Sequence, residues 1–328
     1  MDRGPRYLTT SDLEGLGLTI SLMADAIEEA FRHKADGRVT SPPMTFFHRE
    51  KGGWFNSMVC SIPPLGFAGC KFQAGDSTNP SRGLPSIQGM YVLCEDTGGR
   101  VVAIMDARWL TAIRTAAVGA LFARTYARPG AKAIGILGCG VQGRLQLQAF
   151  KEVVPSVALC RAYDTSPRQA QEYVQDMSGR YGLEVEIVAS PEAAVRGADI
   201  VMSSGPITRV RDATIARDWI APGCLYISLD RDSYVTDDAI DAMDLILSDD
   251  REALFHARDH ESSFSRITRI DADLLDLAKG GGARRVSPEE RIGVFVNGLG
   301  IEDLAAAVAA YRRAEERDAG LKLAPQYT

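Results

Sequence analysis

The most informative stretch of this 328-residue chain is Ala133-Ile134-Gly135-Ile136-Leu137-Gly138-Cys139-Gly140-Val141-Gln142-Gly143. Its first five residues form a short apolar run typical of a buried strand, and the glycines that follow have the spacing G-x-G-x-x-G. In that spacing Gly138 permits a tight turn, Gly140 lets the backbone approach a ligand closely, and Gly143 lets the next helix pack against the strand. The stretch therefore predicts a strand, a turn and a helix whose amino terminus can face phosphate groups.

A second apolar run follows and ends at Asp164, about 20 residues after Gly143. Dinucleotide-binding units place an acid for the ribose hydroxyls at this distance. The combination predicts a bound nicotinamide dinucleotide, and a glycine-rich turn without a ligand is the alternative. Because a carboxylate at Asp164 would repel a 2′-phosphate, we expect NAD rather than NADP. Arg168 could pair with such a phosphate, although a solvated helix position suits it better.

The chain beyond residue 129 alternates between strands and helices. Strands are predicted at 133–137, 157–163, 185–188 and 200–203, with a helix after each of the first three, and apolar runs at 225–229 and 245–247 continue the sheet. Such alternation implies a parallel sheet that is covered on both faces. We therefore predict an α/β fold of the doubly wound Rossmann type for residues 129–300.

The chain before residue 129 has a different pattern. An amphipathic helix is predicted at 19–34 and a long helix at 107–126, which ends before Pro129. Between them, short strands are predicted at 54–60, 67–73, 90–94 and 101–105, with a hairpin turn at 97–99. We expect a separate α+β domain over residues 1–128, joined by a carboxy-terminal helix within residues 301–328.

Length and composition limit the classes to which the protein can belong. A chain of 328 residues exceeds what one hydrophobic core usually supports, so two domains are expected. The net charge of −6 offers no broad cationic surface to nucleic acid. The six cysteines form no C-x-x-C pair, and no apolar run has the character of a signal peptide or a membrane span. These features favour a cytoplasmic protein with reduced thiols, small-molecule partners and no metal, nucleic acid or membrane partner.

Two cations lie in otherwise apolar surroundings, Lys71 in a predicted strand and Arg114 in the long predicted helix. A buried charge needs a partner, which could be a substrate carboxylate, a cofactor phosphate or an internal acid. The residues alone leave these alternatives open. Asp230 follows the predicted strand at 225–229, at the edge where open parallel sheets place their ligand crevice; a loop cap is the alternative.

Several motifs are shared with a known family. They are residues 79–85 (Asn-Pro-Ser-Arg-Gly-Leu-Pro), residues 110–117 (Leu-Thr-Ala-Ile-Arg-Thr-Ala-Ala), the glycine-rich turn at 138–143, and the closing segments 287–290 and 300–306. In these motifs the chain resembles the ornithine cyclodeaminase and mu-crystallin family. The likeness runs from about residue 38 to about residue 311.

The resemblance implies an NAD(H)-dependent oxidoreductase that acts on the carbon–nitrogen bond of a small α-amino or α-imino acid. It further implies a homodimer in which the first domain forms the dimer interface and binds the substrate, with the nicotinamide ring between the domains. By the same resemblance, Asp230 would be the acid/base and Lys71 a catalytic residue that binds the substrate carboxylate. The other substrate-binding positions would be Arg114, Met44, Asn56 and Gly298. The cofactor-binding positions would be Ser86, Arg114, Gly138, Gly140, Val141, Gln142, Gly143, Asp164, Ser203, Ser204, Leu229 and Asn297.

Departures from the family pattern concern the substrate. The cyclodeaminases have an arginine where this chain has Met44, and an acid where it has Asn56. The turn after Asp230 also differs, and its Arg231 could partly replace the lost cation. The leading hypothesis is an amino acid dehydrogenase or imine reductase. The alternatives are ornithine cyclodeaminase, which recycles its hydride and makes proline and ammonia, and a non-catalytic, crystallin-like ligand-binding protein.

We expect the protein to bind NAD more tightly than NADP, because Asp164 would repel the 2′-phosphate. Titration with both dinucleotides measures the difference, and the Asp164→Ala variant should narrow it. Tighter binding of NADP than of NAD by the unchanged protein would contradict this prediction.

Overall fold

The computed structural model describes residues 4–49, 53–76, 78–208, 210–261 and 263–325. Within them the strands are β1 (Arg6–Leu8), β2 (Thr45–His48), β3 (Trp54–Ile62), β4 (Phe67–Gly75), β5 (Ile87–Glu95), β6 (Val101–Asp106), β7 (Ala133–Leu137), β8 (Leu159–Tyr163), β9 (Glu184–Ile187), β10 (Ile200–Ser203), β11 (Leu225–Ser228), β12 (Leu245–Ser248), β13 (Ala272–Asp273), β14 (Ile292–Phe295) and β15 (Leu321–Lys322). The α-helices are α1 (Thr10–Gly15), α2 (Ile20–Ala35), α3 (Ala107–Tyr126), α4 (Val141–Val153), α5 (Pro167–Met177), α6 (Pro191–Val195), α7 (Asp237–Asp241), α8 (Arg251–His260), α9 (Leu274–Ala278) and α10 (Gly300–Arg317). Single turns of 3₁₀ helix cover Pro63–Leu65, Pro80–Arg82 and Arg217–Trp219.

These elements pack as two units. The first unit contains Met1–Arg114 and Gly298–Thr328, and the second contains Thr115–Asn297. The division falls within α3, whereas the sequence pattern suggests a change after that helix, at residue 128. The assignment of substrate binding and dimerisation to residues 1–128 stays a prediction.

The second unit is built on an eight-stranded parallel sheet with the order β13-β12-β14-β11-β10-β7-β8-β9. Six consecutive strands, β9-β8-β7-β10-β11-β14, follow the order 3-2-1-4-5-6 of the dinucleotide-binding fold. In that fold the order in which successive strands are added to the sheet reverses beside the first strand, here β7. Ligands bind at the carboxyl ends of the strands on the two sides of this topological switch point. The predicted α/β class is confirmed.

Strand β14 is absent from the sequence-based prediction. It lies between β11 and β12, which the apolar runs alone suggest as successive strands. Its four residues include Gly293, which interrupts the apolar run that identifies a buried strand. A side chain cannot replace that glycine freely, because a Cβ there would lie 3.1 Å from the Phe295 ring and 3.2 Å from Met243. Gly293 is therefore closely packed against both side chains.

The turn between β7 and α4 has a geometry that depends on its glycines. Gly138 has a φ of 103°, in the left-handed region, and a Cβ there would lie 2.9 Å from the hydroxyl oxygen of Ser204. At Gly143 a Cβ would lie 2.2 Å from the carbonyl oxygen of Gly138, so this position brings the helix close to the strand. At Gly140 a Cβ would have no described atom within 4 Å. The first and third glycines are therefore required by packing, and the second leaves open space at the start of α4.

The first unit is built on a seven-stranded sheet with the order β15-β1-β6-β5-β4-β3-β2. Strand β1 runs parallel to β6, and the other neighbours are antiparallel. Helices α2 and α10 pack against each other, and α10 also contacts β3 and β4. The predicted hairpin turn at residues 97–99 joins β5 to β6. This arrangement agrees with the α+β pattern expected for this part of the chain.

The last helix, α10, agrees with the helix expected within residues 301–328, and the segment after it forms a strand that the sequence pattern does not predict. The helix ends at Arg317, and Asp318 adopts a left-handed conformation with a φ of 49°. The chain then forms β15, which pairs antiparallel with β1. Arg6 of β1 stabilises this end through ion pairs with Glu315 and Asp318. Residues 326–328 lie outside the described residues.

In the part of the chain that the structure describes, no helix combines the length and the apolar character needed to cross a membrane.

Candidate active site

The carboxyl edge of the parallel sheet in the second unit collects most of the residues predicted to bind the cofactor. The glycine-rich turn follows β7, Ser204 follows β10, Leu229 and Asp230 follow β11, and Asn297 comes soon after β14. Parallel strands end at the same edge, so topology brings these residues together although the sequence separates them widely. This edge includes the topological switch point where such folds bind ligands.

Asp164 connects the end of β8 to the glycine-rich turn. Its Oδ2 accepts a 2.8 Å hydrogen bond from the backbone N–H of Cys139, and its Oδ1 accepts one of 2.8 Å from that of Ser166. Arg168 lies on the surface of α5 and pairs with Glu172, with Nε 2.7 Å from Oε1. The solvated position suggested for Arg168 is therefore observed.

The site has unsatisfied groups that suit a dinucleotide. Helix α4 begins without a side-chain cap at Gly140, so its backbone N–H groups can face an anion. Among the described residues, the buried Oε1 of Gln142 and the buried Oδ1 of Asn297 have no hydrogen-bond donor. Buried polar atoms normally have partners, so these two oxygens are available to a ligand. Val141, at the first position of α4, is 64% exposed.

Asp249 is a supporting residue that sequence analysis missed. It is fully buried at the end of β12, and its two carboxylate oxygens lie 3.0 and 3.2 Å from the backbone nitrogen of Asn297, which donates to them. The carboxylate thus holds the turn after β14 in place. A pair of acids, Asp249 and Asp250, directly after an apolar run was the signal available in the sequence.

Asp230 is a fully buried carboxylate held by three hydrogen bonds. Its Oδ1 accepts from the hydroxyl of Ser228 at 2.6 Å and from that of Ser203 at 3.1 Å, and its Oδ2 accepts from the backbone N–H of Gly205 at 3.1 Å. Burial disfavours the charged form and raises the pKa of Asp230 to about 6, and the hydrogen bonds limit the rise. A carboxylate with such a pKa can both accept and release a proton near neutral pH.

The side chain of Ser203 supports Asp230. The sequence-based assignment makes Ser203 a cofactor contact, but the side chain is 1% exposed, and its hydroxyl also lies 2.9 Å from that of Tyr226. Ser228 and Tyr226 were not predicted. The signal that could have found them is the alternation of polar groups with apolar ones in Leu225–Ser228, a strand that is otherwise buried.

Arg231 has partners of its own in the second unit. Its guanidinium forms an ion pair with Glu261 at 2.9 Å, donates to the hydroxyl of Ser263 at 2.7 Å, and lies over the ring of Phe264. The backbone of Arg231 is in the left-handed region with a φ of 63°, which is unfavourable for a residue other than glycine. These contacts direct part of the guanidinium to Glu261 and Ser263, and the suggested compensation stays a prediction.

The first unit contains a buried cluster of four ionisable residues. Lys71 of β4 is fully buried, and its Nζ lies 2.7 Å from Oδ2 of Asp303. Arg114 of α3 places Nη1 2.8 Å from Oε2 of Glu302 and Nε 3.1 Å from Oδ1 of Asp303. Internal acids, one of the alternatives that the sequence left open, are therefore present. Sequence analysis quoted both acids within a family motif but gave them no role.

Burial lowers the pKa of Lys71 to about 8, because the charged ammonium loses its hydration. Asp303 opposes this change, the positive charge of Arg114 adds to it, and Glu302 opposes it more weakly. Gly298 lies against the guanidinium, since a Cβ there would be 2.9 Å from Nη1 and Nη2 of Arg114. This glycine, with a φ of 84°, makes room for the cation.

The positions predicted to set substrate specificity lie on the same face of the sheet as Lys71. Asn56 of β3 is paired in register with Gln73 of β4, two residues from Lys71. The amide nitrogen of Asn56 contacts the sulfur of Met44 at 3.3 Å, and its buried Oδ1 has no donor among the described residues. Gln73, which was not predicted, donates to the hydroxyl of Thr111 at 2.8 Å.

Ser86 has only a backbone contact among those described for it. It is exposed in the turn before β5, and its carbonyl oxygen accepts a 3.0 Å hydrogen bond from the backbone N–H of Asp76. The cofactor role that the resemblance gives to Ser86 stays a prediction.

The chain is similar in sequence to a known protein family and to several of its members. Residues 6–318 match the model of the ornithine cyclodeaminase/mu-crystallin family. The chain is 28% identical to alanine dehydrogenase of Archaeoglobus fulgidus over 323 residues, covering 96% of this chain and 97% of that protein. It is 32% identical to Delta(1)-pyrroline-2-carboxylate reductase of Paracoccus denitrificans over 258 residues, covering 76% and 79%.

The chain is also similar to a solved structure. The chain superposes on Thermococcus litoralis Delta(1)-pyrroline-2-carboxylate reductase, solved in complex with NADH and L-proline, with a TM-score of 0.87 and 26% identity. The match covers 97% of this chain and all of that one. The family resemblance expected from the motifs is confirmed over almost the whole length. On this evidence the chain belongs to the ornithine cyclodeaminase/mu-crystallin family.

Proposed function

We propose that this protein is an NAD(H)-dependent oxidoreductase that acts on the carbon–nitrogen bond of a small α-amino or α-imino acid with an apolar or cyclic side chain. The predicted enzyme class and cofactor are confirmed by the family and by its dehydrogenase and reductase relatives. The nature of the side chain is our addition. The observation that carries the proposal is the buried carboxylate of Asp230 at the carboxyl edge of the Rossmann sheet, where its pKa is about 6.

A bound nicotinamide supplies the hydride-transfer chemistry. The start of α4 would hold the pyrophosphate, Asp164 the ribose hydroxyls, and the unpaired oxygens of Gln142 and Asn297 further polar groups of the dinucleotide. The protein's own contribution to the reaction is proton transfer and orientation.

Asp230 would move the proton. In the direction of oxidation its carboxylate takes a proton from the substrate ammonium or from the attacking water, and in the direction of reduction its carboxyl group returns one to the nitrogen. The hydroxyls of Ser203 and Ser228 keep the carboxylate oriented while the buried surroundings keep its pKa near neutrality.

Lys71 and Arg114 would bind the substrate carboxylate. An ammonium has three N–H donors and a guanidinium has five, so each can take a ligand in addition to its internal acid. Their buried positions make such a charge-assisted hydrogen bond stronger than one at the surface.

The neighbouring residues favour a substrate without a second charge. A diamino acid carries a second ammonium, which must be paired or neutralised when it leaves water. Asn56 and Gln73 offer only neutral amides, and Met44 adds an apolar thioether. Ornithine cyclodeaminase is therefore the less well supported alternative. The buried Asp230 argues against a purely ligand-binding protein, because its pKa suits proton transfer.

We also propose that the protein is a homodimer that uses the outer face of the sheet in the first unit. Phe47, Phe55 and Phe72 form a ladder across β2, β3 and β4, with ring centroids 5.3 and 5.8 Å apart. Phe47 is 55% exposed, Phe72 is 51% exposed and Val59 beside them is 48% exposed. An apolar face of this kind usually has a partner, and a second copy agrees with the homodimer implied by the family resemblance.

The role of Asp230 is tested by Asp230→Asn. We expect turnover to fall about 10²–10⁴-fold with unchanged NAD affinity, because the amide keeps the shape but cannot take the proton. The unchanged enzyme should oxidise amino acids faster as the pH rises through about 6, since Asp230 must be unprotonated. Ser228→Ala removes a hydrogen bond that lowers the pKa of Asp230, so this rise should move to higher pH.

Thr236→Val serves as the control for Ser228→Ala, because it removes a partly buried hydroxyl that bonds to the carbonyl of Ile215 in the same unit. Its pH profile should match that of the unchanged enzyme. Nearly full turnover by Asp230→Asn would exclude the proposed proton transfer.

The substrate is tested with a panel of apolar amino acids with NAD, and of cyclic imines or keto acids plus amines with NADH. We expect ornithine to bind about tenfold or more weakly than the best member of the panel. The reason is that a hydrogen bond involving a charged group contributes about 1.5–3 kcal/mol to binding, whereas a neutral hydrogen bond contributes about 0.5–1.5 kcal/mol. Asn56→Glu should narrow this difference. Efficient conversion of ornithine to proline and ammonia, with no activity on the apolar panel, would restore the cyclodeaminase alternative.

The homodimer is tested by sedimentation. We expect the unchanged protein to sediment at twice its chain mass of 35.5 kDa, and Phe72→Glu to shift it towards the monomer, because a buried charge would oppose association. Val286→Glu, at a site that is 86% exposed in the second unit, is the matched control and should remain dimeric. A monomeric unchanged protein would refute the proposal.

A further inference from the structure

The first turn of α10 brings two adjacent acids against two buried cations. Asp303 uses one carboxylate oxygen for each cation, with Oδ2 2.7 Å from Nζ of Lys71 and Oδ1 3.1 Å from Nε of Arg114. Glu302 contacts Arg114, with Oε2 2.8 Å from Nη1. Both acids are fully buried, as is Lys71, and Arg114 is 7% exposed. The cluster is therefore closed to bulk water.

Local structure explains why the acids occupy these positions. Glu302 accepts a hydrogen bond from the backbone N–H of Leu299 at 3.2 Å, in the manner of a capping box, and both acids stand in the first turn, where the helix dipole favours negative charge. Gly300 lets that turn approach β3 closely, since a Cβ there would lie 3.0 Å from the carbonyl oxygen of Val59. The acids are thus placed by the helix start itself.

The charges of the cluster balance before any ligand binds. Lys71 and Arg114 contribute two positive charges, and Glu302 and Asp303 contribute two negative ones. Removal of one partner from a buried ion pair leaves an uncompensated charge, which is strongly unfavourable. Lys71 needs its acid in order to remain charged in this environment, whereas Arg114 is always charged and needs the acids to balance its charge.

We propose that Asp303 and Glu302 are positioning residues for carboxylate recognition, which hold the Lys71 ammonium and the Arg114 guanidinium in place and keep the charge on Lys71. The inference rests on the proposed function, in which these two cations bind the substrate carboxylate. The two acids have unequal parts. Asp303 contacts both cations, whereas Glu302 contacts Arg114, so loss of Asp303 should affect Lys71 more than loss of Glu302 does.

The ionisable groups around Lys71 come from four elements. Asp303 and Glu302 belong to α10 and Arg114 belongs to α3, and all three influence the pKa of Lys71, which is about 8. The other groups are Tyr91 of β5, paired in register with Lys71, and Cys60 of β3. Burial raises the pKa of Tyr91 well above its ordinary value and that of Cys60 to about 12, so both stay neutral when Lys71 titrates.

Protonation of Lys71 can be measured directly. The chain has seven lysines, so ¹³C-labelled lysine gives few NMR signals, and Lys71→Arg assigns the one from Lys71. An opposite charge within about 4–6 Å shifts a pKa by about 1–3, so Asp303→Asn should lower the titration midpoint from about 8 to about 7 or below. Glu302→Gln should lower it less.

A binding measurement on the same proteins tests the consequence for recognition, with L-proline as the carboxylate probe and the protein loaded with NADH. At pH 8 the affinity of Asp303→Asn should be about fivefold or more below that of the unchanged protein, because about one Lys71 in ten or fewer stays charged if the pKa falls to 7 or below. At pH 6, where Lys71 is mostly charged in both proteins, the difference between their L-proline affinities should be smaller.

Asp303→Glu separates charge from position. It keeps the negative charge but moves the carboxylate by one methylene, so the midpoint of Lys71 should stay near 8 while L-proline affinity falls at every pH. Glu315→Gln, which removes an acid from the far end of α10 that pairs with Arg6, is the matched control and should change neither measurement.

An unchanged Lys71 midpoint in Asp303→Asn, or unchanged L-proline affinity in Asp303→Glu, would overturn the proposal. If Asp303→Asn does not fold, the Lys71 midpoints and L-proline affinities of Asp303→Glu and Glu302→Gln test the proposal instead. Failure of the proposed function gives a different result, namely no binding of L-proline or of any amino acid in the substrate panel by the unchanged protein at any pH, while the NMR titration still reports whether Asp303 controls Lys71.

Discussion

The ion pair between Lys71 and Asp303 is the contact on which the first unit most depends. It joins the middle of a sheet strand to the first turn of the last helix, two segments that lie far apart in the sequence. Neither charge could be buried alone, because an isolated ion in a protein interior costs several kcal/mol, and breaking such a pair costs about 3–5 kcal/mol. Arg114 and Glu302 extend the pair into a balanced cluster. The position of α10 on the sheet and the presentation of two cations thus have one physical origin.

The second unit handles a buried charge by a different means. Asp230 has no cation among its described hydrogen-bond partners, and its carboxylate relies on two hydroxyls and one backbone N–H. Hydrogen bonds compensate for lost hydration only in part, so the pKa of Asp230 rises to about 6, while in the first unit each buried acid lies beside a cation. A pair of opposite charges makes a rigid binding group, and a lone carboxylate among hydroxyls makes a group that exchanges protons. The two arrangements match the two tasks that a dehydrogenase of amino or imino acids must perform.

The parts of the fold that sequence patterns predict best are those with strong local signals. The glycine-rich turn, α3 and the first Rossmann strand have the expected bounds, because glycine spacing and apolar periodicity are local properties. Strand β14 was not predicted, and its Gly293 packs closely against Met243 and Phe295. The formation of β15 escapes because a short strand is stabilised by its neighbour β1 rather than by its own residues.

The candidate site divides in the same way. Gly138, Gly143, Asp164 and Asp230 could be identified from the sequence, since each stands at a fixed place in a strand–turn–helix pattern whose chemistry is known. Lys71 and Arg114 could be recognised as unusual, because a charge in an apolar segment is conspicuous. The sequence could not name their partners, which come from a helix about 200 residues away, or show that Ser203 and Ser228 turn their hydroxyls to Asp230. Pairing of buried charges depends on distances between distant segments, and only the tertiary structure determines those distances.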